Sequence, residues 1–529
     1  MELKLTESDL QGIVQSVLKN MEIAKPVQMK AIIPATAASP IHEPPAYPLV
    51  TNDRPVYEGE IGKPFLPVVP AVAPKEAQVS KLPGVYDAMS DAIMAADMAQ
   101  KAFAVNYDKA GREKTILAIR EVVLKNKEKL AQLVFEETGF GVLAHKVAKH
   151  ELAAAKTPGT EDLETVAFSS GGNLTLLETS PFGVIGAVTP VTNPTETIIN
   201  NAISMLAGGN SVVFNVHPAS KKSCSFLVGM LNEAIVASGG IPNLITMVQN
   251  PTTATLEELM TSPTVRLLVG TGGPGLGKKL QLSGKKSIVA GAGNPPVIVD
   301  ETANLKKAAQ DIIFGAGFDN NLLCIAEKEV FVLDAVADDL IFHLLNEGAY
   351  MLDSLQVQRV MGLVLEENKA GDASGCTLEN SRRFLPSKHW IGRCAGSILK
   401  GIGAMDGKGT EQLLIFEAAP DHPFVQIEQM MPIMPIVRVK DLDEAIRHAV
   451  QAEHGNRHTA VMHSQNLANL NRFENAIQTT IFVKNASSLA GVGFGAEGFG
   501  TMTIAGPTGE GLTSARTFTR KRRSVLVSK

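Results

Sequence analysis

The sequence lacks the marks of secreted, membrane-spanning and disulfide-stabilised proteins. Its 529 residues include only 4 cysteines, too few for a disulfide framework in a chain of this length. It contains no apolar run of about 18 residues, the length of a membrane-spanning helix. The first residues, MELKLTESDLQ, have neither the basic start nor the apolar middle of a signal peptide. We therefore expect reduced thiols, a cytoplasmic location and no contact with a membrane.

The chain also lacks an excess of positive charge and any zinc signature. Lys and Arg number 49 against 54 Asp and Glu, a formal net charge of -5, whereas nucleic-acid-binding domains usually carry a basic surface. There is no C-x-x-C pair and no H-E-x-x-H segment. His454, His458 and His463 cluster in HGNRHTAVMH. Their spacing permits metal binding, but a turn followed by a buried strand explains them as well. We expect no bound metal and no nucleic-acid partner.

The chain contains enough apolar residues to form the cores of several domains. Hydrophobic residues make up 45% and charged residues 19% of it, which excludes global disorder. At roughly 150 residues per domain, the length favours three or four units. From residue 86 onward, strand and helix patterns alternate, and such alternation predicts an α/β fold with a parallel sheet between layers of helices.

The predicted elements of this alternating region can be given by their bounds. Amphipathic helices are predicted at 86–104 and 111–136, before the alternation begins. Strands are predicted at 184–189, 211–216, 244–248, 265–269, 287–290 and 296–299, and helices at 195–206, 221–238, 256–261 and 275–282.

The first 85 residues are predicted to form a short helix that a linker joins to the rest of the chain. The segment TESD at 6–9 is a plausible capping box before an apolar stripe at helical spacing. The stripe consists of Leu10, Ile13, Val14, Val17, Leu18 and Met21. Of the 29 prolines, 12 lie between Pro26 and Pro83, and because proline removes a backbone donor and clashes with the preceding turn, this stretch cannot sustain a helix. We expect residues 22–85 to form an extended linker or a strap.

Two local segments are candidates for chemistry, and each also has a purely structural explanation. Gly270–Gly275 reads GTGGPG after an apolar strand and fits G-x-G-x-x-G, in which backbone amides approach a pyrophosphate at a helix N-terminus. The acid expected about 20 residues later is missing, so a turn without a ligand fits equally well. Cys324 lies in FDNNLLCIAEKEV, where a cysteine among leucines is more often core packing than a nucleophile. The same structural explanation applies more strongly to Cys224, Cys376 and Cys394.

Segments spread over more than 300 residues carry a more specific signal than either motif. They are TPVTNPTETIINNA (189–202), VVFNVHPASKKS (212–223), VGTGGPG (269–275), AGAGNPPVIVDE (290–301), FDNNLLCIAEKEV (318–330), HGNRHTAVMHS (454–464) and GPTGEGLTSARTFTRKRR (506–523). Together and in this order they resemble the aldehyde dehydrogenase family, in particular its CoA-acylating branch in bacterial microcompartments, which acts on propionaldehyde and acetaldehyde.

The resemblance implies that Cys324 is the catalytic thiol. Its thiolate would attack the aldehyde to give a thiohemiacetal, and after hydride leaves to the nicotinamide an acyl-thioester would remain. The oxyanion needs a preorganised donor, and the backbone N–H of Cys324 is one candidate. Thr192 and Asn193 lie where hydrolytic relatives carry their oxyanion asparagine. Matching the flanking prolines puts Thr192 at that position and Asn193 one residue later, so both side chains remain candidates.

The resemblance also assigns the cofactors NAD and coenzyme A. The residues assigned to NAD are Pro190, Asn215, His217, Pro218, Thr271, Gly272, Gly273, Gly293 and Glu428. Of these, Glu428 matches a glutamate that hydrogen-bonds the nicotinamide ribose. Ala290 stands where hydrolytic members have a glutamate base, so water is poorly activated and the thiolate of CoA can take the acyl group. The implied reaction is aldehyde, CoA and NAD giving acyl-CoA and NADH. A hydrolytic enzyme and a non-catalytic scaffold remain as alternatives.

The domain organisation implied by the resemblance accounts for the whole chain. A Rossmann-type NAD-binding domain would comprise 86–165 and 182–317, a catalytic domain 318–500, and a small β oligomerisation element 166–181 and 501–529. We expect a homodimer or tetramer, in which the basic stretch of 516–523 is a solvated face or a subunit contact. Residues 1–21 match the encapsulation tags of microcompartment cargo that bind shell proteins, although a helix that packs on a neighbouring subunit is an alternative.

Overall fold

The computed structural model describes residues 82–170, 172–367, 384–404 and 411–527. All of these residues belong to one compact unit, Pro74–Lys529. The helix expected at 1–21, almost all of the expected linker and Cys376 lie outside the described residues. In the described part of the chain, no helix is both long enough and apolar enough to cross a membrane.

Helices and strands alternate along most of the described chain. The helices are α1 (Met89–Asn106), α2 (Lys109–Thr138), α3 (Leu143–Lys156), α4 (Pro194–Ala207), α5 (Lys221–Ala237), α6 (Thr253–Thr261), α7 (Pro274–Gln281), α8 (Leu305–Gly317), α9 (Asp334–Asn346), α10 (Ser354–Val364), α11 (Ala395–Gly401), α12 (Pro423–Gln426), α13 (Leu442–Glu453) and α14 (Leu467–Ile477). The strands are β1 (Val85–Tyr86), β2 (Val166–Ser170), β3 (Asn173–Pro181), β4 (Val184–Val188), β5 (Ser211–Asn215), β6 (Ile245–Val248), β7 (Val265–Thr271), β8 (Ser287–Ala290), β9 (Pro296–Val299), β10 (Glu329–Leu333), β11 (Ala349–Met351), β12 (Leu365–Glu367), β13 (Phe384–Pro386), β14 (Leu413–Glu417), β15 (Ile433–Val439), β16 (Thr459–His463), β17 (Ile481–Lys484), β18 (Ile504–Ala505), β19 (Gly511–Leu512) and β20 (Thr519–Leu526).

Two parallel sheets form the body of the fold. The first has six strands in the order β1-β6-β5-β4-β7-β8, and the second has seven in the order β11-β14-β15-β10-β9-β16-β17. Strands such as β5, β6 and β10 are buried along their whole length. Continuous apolar strands of this kind are expected where helices cover both faces of a parallel sheet. The structure therefore confirms the expected α/β class.

The predicted elements from 184 to 299 all occur, with ends that shift by a few residues. The first predicted helix starts three residues later than expected, at Met89. The reason is non-local: Val85 and Tyr86 pair in parallel with Met247 and Val248 of β6 and extend the first sheet. Helix α3 was not predicted.

Sheet membership differs from the expected boundary at residue 317. Strand β9 pairs with β10 on one side and with β16 on the other, so it belongs to the second sheet. The change from the first sheet to the second therefore occurs between Ala290 and Pro296. Cys324 follows β9 and helix α8 in this second part.

A third sheet joins distant parts of the chain. Strands β2, β3 and β20 are antiparallel, and β20 pairs with β3 from Thr519↔Pro181 to Leu526↔Leu174. These strands fall within the two segments expected to form an oligomerisation element. Basic side chains of this region have nearby partners: Arg516 pairs with Asp162, and Arg522 pairs with Glu178.

Candidate active site

Cys324 follows a backbone segment in an uncommon conformation. Asp319, Asn320 and Asn321 have φ angles of 50°, 56° and 65°, a left-handed region that Asn and Asp tolerate better than most residues. The Asn321 carboxamide donates to the carbonyls of Ala316 and Glu327 at 3.0 and 2.9 Å. Such a segment persists because its surroundings fix it. The nucleophile loop (residues 318–325) is therefore held by side-chain contacts as well as by its own backbone.

The side chain of Lys328 also holds the nucleophile loop in place. Its Nζ donates to the carbonyl oxygens of Asn321 and Leu323, both at 3.2 Å. Burial raises the pKa of the Cys324 thiol to about 12, and the carboxyl of Glu428 adds to this, whereas Lys328 acts in the opposite direction. At neutral pH the thiol of the unliganded protein is therefore protonated.

Two cavities meet at Cys324 and Asn193. The larger cavity has a volume of about 250 Å³ and the smaller about 30 Å³. Most of the residues that the sequence assigned to catalysis or to the cofactor line the larger one, namely Pro190, Thr192, Asn193, His217, Thr271, Gly272, Gly273, Cys324 and Glu428. The fold thus brings segments from 190 to 428 to one place.

Three assigned residues stand outside the described lining of this cavity. Asn215 is buried, and its Oδ1 accepts a hydrogen bond from Thr255 Oγ1 at 2.7 Å, which ties the end of β5 to α6. Pro218 is exposed. Gly293 lies against the nucleophile loop: a Cβ at this position would be 2.4 Å from the carbonyl oxygen of Cys324. Its role in the structure is to allow this close approach.

The glycine turn at 271–273 fits a nucleotide pyrophosphate. It connects the end of β7 to the start of α7, and Gly273, at the N-cap of α7, provides no side-chain cap. Pro274 has no N–H, and the N–H of Leu276 donates to the Gly273 carbonyl at 3.1 Å, so the amide of Gly275 is the one in the first turn that an anion can use. A Cβ at Gly273 would meet nothing within 4 Å, so the site has room beside the backbone. These residues also line the larger cavity, so the geometry fits the dinucleotide that the sequence implies.

Carboxyl groups are scarce in the larger cavity. Ala290, at the end of β8, lines it and leaves Glu428 as the acidic residue of the described lining. Burial raises the pKa of Glu428 to about 7, while Lys328 and a hydrogen bond from the backbone of Gly293 act to lower it. The end of β8 therefore offers water no general base, and Glu428 is the remaining candidate among the described lining residues.

The two oxyanion candidates differ in position. Asn193 lines both cavities, whereas Thr192 lines only the larger. The carboxamide Oδ1 of Asn193 accepts a hydrogen bond from Lys149 Nζ at 2.6 Å. Its Nδ2 is then the group available to donate, and its contact with Thr192 Oγ1 is long, at 3.4 Å. The geometry favours Asn193.

A cluster of buried charges lies behind Asn193, and the sequence analysis missed it. Lys149 of α3 lies 2.5 Å from Asp319 and 3.2 Å from Glu196 of α4. Burial acts to raise the pKa of Glu196, but Lys149 and its neighbouring cations lower it to about 2. The available signal was the segment AHKVAKHELAAAK, in which Lys146, Lys149 and His150 share one helical stripe.

The three clustered histidines do not form one site. His454 Nε2 approaches the carbonyl of Gln426 at 2.8 Å, and His458 Nδ1 approaches Thr459 Oγ1 at 2.9 Å. His463 lies instead 3.8 Å from Asp311. Among the residues that the structure describes, no group of three or more His, Cys, Asp or Glu is arranged to hold a metal ion.

The other two cysteines among the described residues do not line either cavity. Cys224 is buried in α5, and burial raises the pKa of its thiol far above the usual range. Cys394 is exposed at the N-cap of α11, with its Sγ 3.1 Å from Ser397 Oγ. Neither of them lines a cavity together with the residues assigned to the cofactor.

Comparisons with known proteins show the family of the chain. The model of the aldehyde dehydrogenase family matches residues 68–504. An acetylating acetaldehyde dehydrogenase of Salmonella typhimurium is 45% identical over 445 residues, which are 84% of this chain and 92% of the relative.

Solved structures are equally similar. A propionaldehyde dehydrogenase from the Clostridium phytofermentans fucose utilisation bacterial microcompartment has a TM-score of 0.79 and 47% identity, covering 84% of this chain and 98% of that one. Rhodopseudomonas palustris propionaldehyde dehydrogenase with bound propionyl-CoA has a TM-score of 0.79 and 47% identity, covering 84% of this chain and 95% of that one.

Proposed function

The chain belongs to the aldehyde dehydrogenase family, and from this we propose that it oxidises a short aliphatic aldehyde with NAD and CoA to acyl-CoA and NADH. The observation that carries the proposal is Ala290, an apolar side chain beside Cys324 in the cavity where a hydrolytic enzyme needs a base. The relatives named above as acetylating, or as holding propionyl-CoA, support it.

Cys324 is the proposed nucleophile. Its sulfur forms a bond to the aldehyde carbon as the S–H proton is released to solvent, and the carbonyl electron pair moves onto the oxygen. NAD in the larger cavity would supply the oxidation by taking the hydride from that carbon, and the carbonyl re-forms as a thioester. The sulfur of CoA then attacks the thioester, Cys324 leaves with the electron pair of its bond, and the proton of the CoA thiol passes to Cys324. The groups transferred in these steps all come from the aldehyde, NAD and CoA.

Asn193 is the proposed oxyanion donor. Its carboxamide lines both cavities, and Lys149 occupies its Oδ1. Its Nδ2 can therefore donate to the oxygen that becomes negative after the sulfur adds. One such donor commonly contributes about 10²–10³-fold to the rate.

The smaller cavity is the proposed site for the aldehyde side chain. Its walls are mostly apolar and include Leu152, Phe318, Leu489 and Phe494. The rings of Phe318 and Phe494 pack edge to face with centroids 5.3 Å apart, which fixes one side of the cavity. Its apolar walls suit an uncharged aliphatic chain.

The larger cavity is the proposed site for NAD and for CoA. The turn at 271–273 would bind the pyrophosphate, with Pro190, His217 and Glu428 along the same lining. Asn215 and Pro218 would support this region from the end of β5 without entering the cavity described above. Gly293 would act on the nucleophile loop.

Residues 1–21 are the proposed encapsulation tag, and the sheet of β2, β3 and β20 is the proposed element of a homodimer or tetramer. The microcompartment origin of a similar structure supports the first point. Exposed apolar side chains on the sheet, including Phe168, Val525 and Leu526, support the second. The enzyme would act in the cytoplasm, inside a microcompartment.

The proposal is tested by following NADH absorbance with propionaldehyde in the presence and absence of CoA. With CoA we expect steady turnover and acyl-CoA as product. Without CoA we expect at most one equivalent of NADH per site, and mass spectrometry should find the acyl group on the peptide that contains Cys324. Steady release of free acid without CoA would support the hydrolytic alternative.

Substitutions of two different cysteines provide the matched control for this test. Cys324→Ala should abolish NADH formation while leaving the fold intact, whereas Cys394→Ala should keep its activity because this thiol lies exposed on α11. Activity that survives in Cys324→Ala would exclude the thioester mechanism. A correctly folded wild-type protein that is inactive with both aldehyde and CoA would support the scaffold alternative.

A further inference from the structure

We propose that Lys149 is a positioning residue for the oxyanion donor: it fixes the carboxamide of Asn193 so that Nδ2, and not Oδ1, is presented to the cavities that Cys324 lines. The inference rests on the proposed role of Asn193. It assigns a function in catalysis to a lysine that lines the smaller cavity together with Asn193 and Cys324.

The hydrogen bond between the two side chains determines which way the amide points. Lys149 Nζ lies 2.6 Å from Asn193 Oδ1. An ammonium group has three donors and no acceptor, so the amide atom that faces it must be the oxygen. Rotating the carboxamide by half a turn would bring two donor groups together inside the protein. The lysine therefore excludes the orientation in which Asn193 would place an acceptor beside the developing oxyanion.

Lys149 also forms ion pairs with two buried carboxylates. The nitrogen lies 2.5 Å from Asp319 and 3.2 Å from Glu196, and the lysine side chain is 1% exposed. Burial opposes the charge of this lysine, but the two carboxylates raise its pKa above the usual value. The two carboxylates largely balance the positive charge of Lys149, so the electric field of this charge in the cavity is small. Although Lys149 lines the smaller cavity itself, we therefore expect its effect on the reaction to pass through Asn193, which the double variant described below tests.

The same contacts set the position of Asn193 relative to Cys324. Asp319 begins the left-handed part of the nucleophile loop. Its Oδ1 accepts from the backbone N–H of Val142 at 2.7 Å, and its own N–H donates to His145 Nδ1 at 2.9 Å. The residues at the start of α3 thus hold the nucleophile loop through hydrogen bonds. Lys149, two turns along α3, connects that loop to the N-cap of α4, where Asn193 lies.

Lys146 provides a matched control. It is on the same face of α3, is 1% exposed, and lies 3.5 Å from Asp319. In the described structure no hydrogen bond connects it to Asn193. Replacing Lys146 by Met removes a buried cation from the same cluster but keeps the contact between Lys149 and Asn193. A purely structural role of the cluster would make the two lysine variants equivalent.

The experiment measures the rate constant of the NADH burst in holoenzyme mixed with propionaldehyde without CoA, together with the melting temperature and the affinity for NAD. The variants are Lys149→Met, Lys146→Met, Asn193→Ala and the double variant Lys149→Met/Asn193→Ala. We expect Asn193→Ala to slow the burst about 10²–10³-fold and Lys149→Met to slow it at least about 10-fold. Lys146→Met should stay within about 3-fold of wild type although its melting temperature falls.

The double variant decides whether Lys149 acts through Asn193. If it does, the double variant should be no slower than Asn193→Ala, within about 3-fold, because the second change removes a function already lost. Losses that multiply, or an unchanged burst in Lys149→Met, would overturn the inference. An unchanged burst in Asn193→Ala would instead overturn the oxyanion role proposed above, and the two failures are therefore distinguishable.

A charge-balanced variant keeps the test decisive if Lys149→Met does not fold. Lys149→Met/Glu196→Gln removes one cation and one carboxylate from the cluster, so no additional uncompensated charge stays buried. It should fold and show the same loss of burst rate as expected for Lys149→Met. A normal burst in this protein would also contradict a positioning role for Lys149.

Discussion

At the scale of single residues, Gly293 sets how closely the chain can approach the nucleophile. A Cβ at this position would lie 2.4 Å from the Cys324 carbonyl oxygen and 3.2 Å from the His458 ring. The first distance is too short for any contact, so Gly293→Ala must displace the nucleophile loop. We expect at least a 10-fold loss in burst rate and about 1–3 kcal/mol in stability, measured by stopped-flow absorbance and by denaturant unfolding.

Gly362 of α10 is the control for that substitution. A Cβ there would meet nothing within 4 Å, and alanine favours a helix over glycine by about 1 kcal/mol. Gly362→Ala should therefore keep full activity and equal or higher stability. A Gly293→Ala enzyme with wild-type burst kinetics would mean that the loop can move aside without cost.

Residues at the site differ in how far they could be predicted from the sequence. Cys324 was in doubt from its neighbours alone, because leucines surround it, and only the combination of distant segments identified it. Thr192 and Asn193 could not be separated, since the choice depends on the bond from Lys149, 44 residues earlier in the chain. The charged stripe of α3 marks Lys149 as unusual in the sequence. It does not reveal the partner, because a pairing between buried polar groups in distant parts of the chain leaves no local pattern.

At the scale of elements, we propose that the residue at the carboxyl end of β8 decides between acylating and hydrolytic chemistry. Ala290 ends this strand and lines the larger cavity beside Cys324. Ala290→Glu would introduce a carboxylate that can accept a proton from water. We expect steady formation of NADH and free acid without CoA, at least several-fold above the wild-type background, measured by absorbance and by quantifying the acid.

Ala292→Glu is the matched control for position. Ala292 lines the same cavity but follows the end of β8, so a carboxylate there has the same charge in a different place. Equal hydrolysis by both variants would mean that charge in the cavity, rather than a base at the end of β8, controls the acceptor. No hydrolysis by Ala290→Glu, in a protein that still binds NAD and forms the acyl-enzyme, would contradict the role given to this position.

Elements were predictable where the pattern is local. The apolar strands from β4 to β9 and the helices between them follow from alternation along the chain. The pairing of Val85 and Tyr86 with β6 was not predictable, because a two-residue strand has no period of its own. The placement of β9 in the second sheet also depends on partners as far away as β16.

At the scale of the whole molecule, buried carboxyls make stability depend on pH. Glu329 is fully buried, and among the described residues neither of its carboxylate oxygens has a hydrogen-bond partner. Burial raises its pKa well above the usual value. The folded protein therefore holds a proton that the unfolded chain releases above about pH 4.5. Stability should fall as the pH rises from there toward the raised pKa.

The variant Glu329→Gln removes this dependence, because the amide is neutral at every pH. We expect the melting temperature of the wild type to decline between about pH 5 and 8 more steeply than that of Glu329→Gln. Glu196→Gln serves as the opposite case, since the pKa of Glu196 is lowered to about 2 and its stabilisation is lost only as the pH falls from about 4.5 toward 2. Parallel curves for wild type and Glu329→Gln would mean that this carboxyl is solvated.

The proposed division of the chain into a catalytic body and an N-terminal tag concerns the whole molecule. The proposed catalytic residues all lie in the unit from Pro74 onward, and 12 prolines precede its first strand. The helix predicted at residues 1–21 is too short to be stable alone in water, so we expect it to gain its stability by packing its apolar stripe against a partner. Deleting residues 1–21 should therefore leave specific activity and oligomeric state unchanged, while co-purification with microcompartment shell proteins is lost.

Point substitutions identify the stripe as the contact. Val14→Asp puts a charge in the middle of the apolar stripe and should act like the deletion, whereas Gln15→Asp puts the same charge on the polar side and should leave co-purification intact. Fusing residues 1–21 to an unrelated soluble protein should carry that protein into shells, as measured by its protection from protease. If the deletion instead breaks the oligomer or abolishes turnover, the helix is a subunit arm, because only a contact with the catalytic body makes those properties depend on it.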